Sequence, residues 1–348
     1  MKPTWLVPAP TRARLVEYLA ALRSGEAEAG RYLRQALGAA SPADMEDDDL
    51  LARLVDTKLP RIFAESAVTG DGSDWNPIEL GLLGDLSVAV PVTVFDNGAH
   101  RDPLVHAMPF AATLVFTPGA LLRHGRCGTP ADWEAVTTDS GELDPEGYYR
   151  LYERRLLPVF THIDAYAGAL GKRALVTVPG LGCGQFAGPF AGRLGAALRN
   201  ALARFLETHG GRFRGVRVVY FDPYNECANE DLEIHGIAFR VRPLLDGNEG
   251  KSQLCLPSAY ADAGEDFGEC ALISIVAWDH VSWPGNDFWG GSRCTDDGVK
   301  AAATDVMFRL TGVEGRYDEA ARIYRPPPPY RVWEEVVDAR KLRLSGLL

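Results

Sequence analysis

The alternation of apolar and polar positions divides the chain into strands and helices. Over residues 272–277 the side chains are almost all apolar and β-branched, the pattern of a strand buried on both faces. Residues 86–95, 111–116, 174–178 and 216–221 are β-rich in the same way, and Asp96-Asn97-Gly98 marks a turn. Elsewhere the spacing is helical. Over residues 10–65, Leu15, Tyr18, Leu19 and Leu22 make one stripe, and Tyr32, Leu33 and Leu37 a second. Leu50, Leu51, Leu54 and Val55 make a third, behind a helix start at Ser41-Pro42, with the acidic cluster at 46–49 read as a solvated first turn. Residues 148–170 form a helix that Pro158 kinks, and Phe190, Leu194, Leu198, Leu202 and Phe205 give another its core stripe, starting at Pro189. Thr295 caps a helix whose apolar face is Val299, Ala303, Val306 and Leu310, and Gly312 stops it. Strands alternating with helices predict an α/β fold. Residues 70–77, GDGSDWNP, read as a linker, and 326–329 as an extended proline strap before a short helix carrying Val332, Trp333, Val336 and Val337. The expected units are a helical extension over 1–75, an α/β catalytic domain over 76–325, and a strap with a terminal helix over 326–348.

Two loops carry the chemistry. After the strand at 174–178 the chain reads PGLGCGQFAGPF, with glycines at 180, 182, 184 and 188 ahead of a helix start. Bare backbone lets amide groups approach a phosphate, and a helix amino terminus favours negative charge. The spacing fits neither GxGxxG followed by a ribose-binding acid nor GxxxxGK[ST], so a nucleotide triphosphatase is not expected. After the strand at 272–277 come Asp279, Trp283, Asn286, Asp287, Trp289, Gly290 and Gly291, then Asp296 and Asp297 in a helix's first turn. Ligands of α/β sheets bind at strand carboxyl ends, and the strand at 216–221 brings a third such loop, beginning at Asp222.

The net charge of −11 argues against a nucleic-acid partner, which a basic surface would serve. No apolar run approaches 20 residues, so no membrane span is expected, and the start MKPTWLVPAPTRARL lacks the core of a secretion signal. Six cysteines without a CxxC pair argue against a zinc site or disulfide framework and for a reducing, cytoplasmic setting.

These loops resemble those of macrodomains, the ADP-ribose-binding modules. Gly182, Cys183, Gly184, Gln185, Phe186, Ala187 and Gly188 resemble the diphosphate-binding loop, with Phe186 packing on the distal ribose. The stretch from Ile275 through Asp279 to the Gly285–Val299 region resembles the ribose loop, and Glu265-Asp266-Phe267 the acidic turn that binds adenine. The resemblance implies a three-layer α/β/α mixed sheet. Because the diphosphate loop here precedes the ribose loop, it also implies a circular permutation. Asp279, Asp287 and Asp297 look most similar to those of hydrolases that remove ADP-ribose from arginine, including a bacterial effector acting on modified ubiquitin. There is no GGG run with a paired glutamate, unlike in poly(ADP-ribose) glycohydrolases, and Asp279 stands where binding-only macrodomains have an asparagine.

The expected activity is therefore hydrolysis of an N-glycosidic bond in mono-ADP-ribosylated arginine, with Asp279, Asp287 and Asp297 as catalytic residues. Carboxylates stabilise the oxocarbenium character that develops at the anomeric carbon, and a negative pocket suits a guanidinium. ADP-ribose contacts are expected from the glycine-rich loop, Asp266, Phe267, Asn286, Trp289, Gly290, Gly291 and Asp296. The alternative is a module that binds ADP-ribose without turning it over. No cofactor is expected; the aspartates would suit Mg²⁺, but macrodomains generally need no metal. The expected partner is an ADP-ribosylated protein, ubiquitin among the candidates.

Overall fold

Eight strands form one sheet in the computed structural model, which describes residues 2–62, 74–124 and 129–348. They are β1 Thr4–Leu6, β2 Ser87–Asp96, β3 Val105–Pro118, β4 Ala174–Pro179, β5 Val216–Asp222, β6 Glu230–Ile234, β7 Ile237–Val241 and β8 Ala271–Trp278. In space the order is β1-β2-β3-β8-β4-β5-β7-β6. The run from β3 to β7 is parallel, while β1, β2 and β6 are antiparallel to their neighbours, so the sheet is mixed. β8, the last of these strands in sequence, sits between β3 and β4, with Thr113 opposite Ile273 and Thr177 opposite Ser274. Its apolar run serves two cores: Leu272 and Val276 pack on one face, Ile273 and Ile275 on the other.

Helices cover both faces. On one lie α1 Ala9–Ser24, α2 Arg31–Leu37, α3 Asp47–Val55 and α4 Pro77–Gly84, whose Leu15, Leu33, Leu50, Leu54 and Leu83 share a core with the sheet. The single turn α5 Trp133–Val136 and the helices α6 Pro145–Ala169 and α7 Leu194–His209 cover the other face. α8 Asp296–Ala303, α9 Val306–Thr311 and α10 Trp333–Arg340 return to the first face. A two-stranded ribbon, β9 Arg316–Asp318 with β10 Ile323–Arg325, precedes α10, which docks through Trp333 and Val336. Among the described residues no helix is long and apolar enough to cross a membrane.

Several expected boundaries shift, each for a local reason. The acidic residues at 46–49 do form a first turn, but the helix start is Glu46, in a capping box with Asp49; Ser41-Pro42 opens only a 3-10 turn. Residues 63–65 of the expected helical stretch and 70–73 of the expected linker lie outside the described residues. The rest of that linker is ordered: Trp75 is buried against Thr57 Oγ1 (2.9 Å), and Asn76 caps α4 ahead of Pro77. The helix expected after Pro189 begins five residues later, because Gly188 (φ 55°, ψ −126°) breaks the run and leaves a 3-10 turn over Gln185–Phe190. The helix after Thr295 divides at Thr304. That residue turns out to bridge Val94, and Asp305 accepts from Thr93 N–H at 2.7 Å, covering an edge of β2.

Candidate functional site

β3, β8, β4 and β5 run parallel, so the loops that follow them leave the same edge of the sheet. The first two glycine contacts show how closely they meet. A Cβ on Gly119, just after β3, would collide with the backbone of Gly182, just after β4, and Gly182 itself has φ 74°. Tyr152 of α6 pins both: its hydroxyl donates to Leu181 O at 2.6 Å and accepts from Ala120 N–H at 3.1 Å. Leu122 N–H donates to Phe186 O at 2.8 Å, and a Cβ on Gly188 would press into Leu122 O. The glycine-rich turn is thus braced from behind while Gly184 and Gln185 face solvent. A hollow of about 240 Å³ lies against it, lined by Arg123, Gly184, Gln185, Gly188 and Ala191, with Gln185 Oε1 accepting from Arg123 at 2.7 Å.

The acidic loop begins where β8 ends. Phe186 from the glycine-rich turn meets His280 edge-on, ring centroids 5.7 Å apart, so the two loops touch. Asp279 Oδ1 accepts from Val281 N–H at 2.9 Å. Asp287, in the 3-10 turn Asn286–Gly290, binds the start of α8: Oδ2 accepts from Cys294 N–H at 2.7 Å, and Oδ1 meets the Thr295 hydroxyl. Asp296 accepts from Ala277 N–H at 2.9 Å and pairs with the buried Lys300 one turn along. Asp222, at the end of β5, accepts from Tyr224 N–H and Leu244 N–H, both at 2.8 Å. Burial raises its proton affinity despite those amides, with the charges of Lys300 and Asp296 also acting on it.

Counting protons separates the roles of the aspartates. Thr295 Oγ1 contacts Asp287 Oδ1 and lies 2.7 Å from Asp297 Oδ1, yet a hydroxyl has one hydrogen to donate. Two carboxylates around one hydroxyl therefore require a second proton. Asp297 is its natural carrier: burial raises its proton affinity well above the usual carboxylate range, the Thr295 hydrogen bond only partly opposes this, and the charges of Asp287, Asp296 and Asp279 add to it. Its Oδ2 is buried with no hydrogen-bond partner among the described residues. Asp287 is held by the amides of Cys294 and Thr295; Asp297 Oδ1 accepts from Gly298 N–H at 2.9 Å, and its Oδ2 is left unused among the described residues.

The structure does not bring all of the expected residues here. Asp266 and Phe267 precede β8 and lie toward its amino end, away from the strand ends that carry the two loops. Phe267 is buried in the core, and Asp266 only closes its own turn through Gly268 N–H at 2.9 Å. The resemblance is to a local motif, and the eight-residue strand that follows carries the chain across the sheet before it reaches Asp279. Trp289 is 0% exposed and packs edge-on against Trp283 (5.3 Å), its indole N–H satisfied by Pro284 O; it builds the loop and offers no wall to a ligand. Asn286 is likewise occupied, its Oδ1 accepting from Ile62 N–H at 3.2 Å. Gly290 packs against Arg61, and Gly291 (φ 87°) closes the turn. Among the described residues no three His, Cys, Asp or Glu side chains converge as a metal site.

Other charged residues escaped the sequence reading. Arg155 of α6 is fully buried, donating to Asp85 Oδ1 (3.2 Å), Asp132 Oδ1 (2.7 Å) and Gly119 O (2.9 Å). Asp132 Oδ2 accepts from Leu121 N–H at 2.8 Å and faces His280 Nε2 at 3.3 Å. Burial pushes the Asp132 carboxyl up, but the Arg155 guanidinium and His280 outweigh this and hold it well below the usual range. Arg155 was discoverable, since it interrupts the apolar stripe of Leu151 and Val159 at helical spacing. Lys58, buried beside Asp279, left no comparable signal.

Comparison with known proteins adds one match. The family model described as macrodomain effector MavL aligns with residues 4–330. No curated protein matches the chain.

Proposed function

Because the chain belongs to the MavL macrodomain effector family, a family whose membership supports ADP-ribose binding or processing, we propose that it hydrolyses ADP-ribose from modified arginine side chains of a protein. The observation that carries this reading is the adjacency of the two loops. They follow β4 and β8, which are hydrogen-bonded parallel neighbours, and they touch through Phe186 and His280. The glycine-rich turn of residues 182–188 receives the diphosphate on bare backbone, and the acidic loop takes the distal ribose and the guanidinium. That the loop met first in sequence pairs with one nearly a hundred residues later, on the neighbouring strand, also supports a circularly permuted macrodomain.

The aspartates divide the chemistry. Asp279 takes a proton from the attacking water as its oxygen bonds to the anomeric carbon. The carbon–nitrogen bond breaks with its electron pair going to the guanidine, and the Asp297 carboxyl delivers a proton to that nitrogen. Asp287 keeps Thr295 and the start of α8 in place. The products are ADP-ribose and an unmodified, protonated arginine, and solvent exchange resets both acids.

The test is release of ADP-ribose from an ADP-ribosylarginine peptide. Asp279→Ala and Asp297→Ala should each slow turnover by about 10²–10⁴-fold while still binding free ADP-ribose. Binding by the wild type without time-dependent loss of the label would instead favour a non-catalytic reader.

A further inference from the structure

The acidic loop is held from outside the sheet by the segment that follows α3. Leu59 pairs with Ser282 in a parallel bridge: its N–H donates to Val281 O at 2.9 Å, and Trp283 N–H donates to Leu59 O at 2.8 Å. Trp283 Nε1 donates to Lys58 O at 3.0 Å, and Ile62 N–H to Asn286 Oδ1 at 3.2 Å. This pairing carries the Lys58 ammonium into the loop. Nζ donates to His280 O and lies 4.0 Å from the centre of the Trp278 ring, so it touches the residues on both sides of Asp279.

Lys58 is only 2% exposed. An ammonium so placed, with one hydrogen bond among the described residues and an aromatic face, has lost most of its hydration, and an apolar side chain would fill the space at lower cost. Burial lowers its proton affinity to about 7, and the charge that opposes this is Asp279. Asp279 shares its loop with Asp287 on the 3-10 turn and with Asp296 and Asp297 on α8, where Lys300 is committed to Asp296. His280 follows it, directed to Asp132. Lys58 is therefore the cation that the amino-terminal segment brings to Asp279.

Resting on the hydrolase reading above, we propose that Lys58 is a positioning residue of this site: its ammonium keeps Asp279 as the carboxylate that receives the water proton, and the bridge through Leu59 fixes where that carboxylate points. The segment that precedes the sheet is then part of the catalytic machinery, although Lys58 touches no substrate atom.

The direct test is the titration of the Asp279 carboxyl by ¹³C NMR, assigned by its loss in Asp279→Asn, in wild type and Lys58→Met. The proposal expects Asp279 to be ionised at pH 5 in the wild type. In Lys58→Met its midpoint should rise by about one unit or more, with the acid limb of kcat rising by the same amount. A merely structural lysine predicts a lower Tm with an unmoved titration. Tm alone does not separate the two, because Lys58→Met also leaves Asp279 buried without its cation; the titration does. An Asp279 midpoint that stays put in folded Lys58→Met overturns the proposal. Should that variant not fold, an Asp279 already protonated at pH 5 in the wild type overturns it equally. If the wild type releases no ADP-ribose from the arginine peptide, the hydrolase reading fails, and the titration still decides whether Lys58 holds Asp279 ionised.

Discussion

A single shared hydroxyl, Thr295 Oγ1, decides how the acidic residues divide their work. Asp287 and Asp297 both lean on it, and burial raises the proton affinity of Asp297, which favours it as the carrier of the extra proton that this sharing calls for. Because folding raises the proton affinity of Asp297, its contribution to stability is full in acid and is lost as pH rises through the raised folded value. Asp297→Asn keeps the neutral form at every pH. Its stability relative to wild type should therefore improve as pH rises from the unfolded carboxylate range toward the raised folded value; a difference independent of pH would contradict the assignment. Activity should behave oppositely, with Asp297→Asn impaired throughout. The carboxylates themselves were legible in the sequence as a cluster after a buried strand, but their division of labour was not. It depends on which oxygens meet amides, as Asp287 does at Cys294, and which are left in the core, as for Asp297 Oδ2. Lys58 was invisible because one lysine after a helix has no period to break.

Among the elements, the glycine-rich turn depends on what stands behind it. Gly188 adopts φ 55° and ψ −126°, and a methyl group there would meet Leu122 O and Arg123 Cα. Gly188→Ala should cost about 1–3 kcal/mol in unfolding and weaken ADP-ribose binding by about tenfold, equivalent to about 1.4 kcal/mol, as read by calorimetry. Unchanged affinity in that variant would detach the turn from the ligand. Tyr152→Phe removes the hydroxyl that joins Leu181 O to Ala120 N–H and should lower stability by about 1–3 kcal/mol, measurable by urea unfolding. The strand, turn and stripe of Leu194, Leu198 and Leu202 were readable from period alone. The start of α7 was not, since Pro189 is as compatible with a 3-10 turn as with a helix and only the close approach to Leu122 selects the former. Asp266-Phe267 was misplaced for the converse reason: a local motif carries no information about which end of a sheet it will occupy.

Across the whole molecule, two cores and a buried charge network hold the loops in register. Arg155 joins Asp85 beside α4, Asp132, and the carbonyls after β3, and Asp132 passes the constraint to His280 in the acidic loop. Arg155→Met would leave the buried Asp132 without its guanidinium, while Asp85 keeps Arg14 and Arg154, and should cost about 3–5 kcal/mol, with turnover falling in step with the loss of fold. The three-layer mixed sheet was implied by the resemblance to macrodomains, whereas the α/β class was legible because strands and helices alternate with distinct periods. How the amino-terminal helices join the first core was not, since their stripes show only that each needs a partner. The central claim is that the turn at Gly182–Gly188 and the acidic loop bind one molecule between them. A crystal structure of the Asp279→Asn variant with ADP-ribose tests it most directly. The account predicts diphosphate oxygens within about 3 Å of the backbone amides at 182–188 and the distal ribose against Asp297 and the substituted side chain at position 279; a ligand bound elsewhere, or contacting one loop without the other, would contradict it.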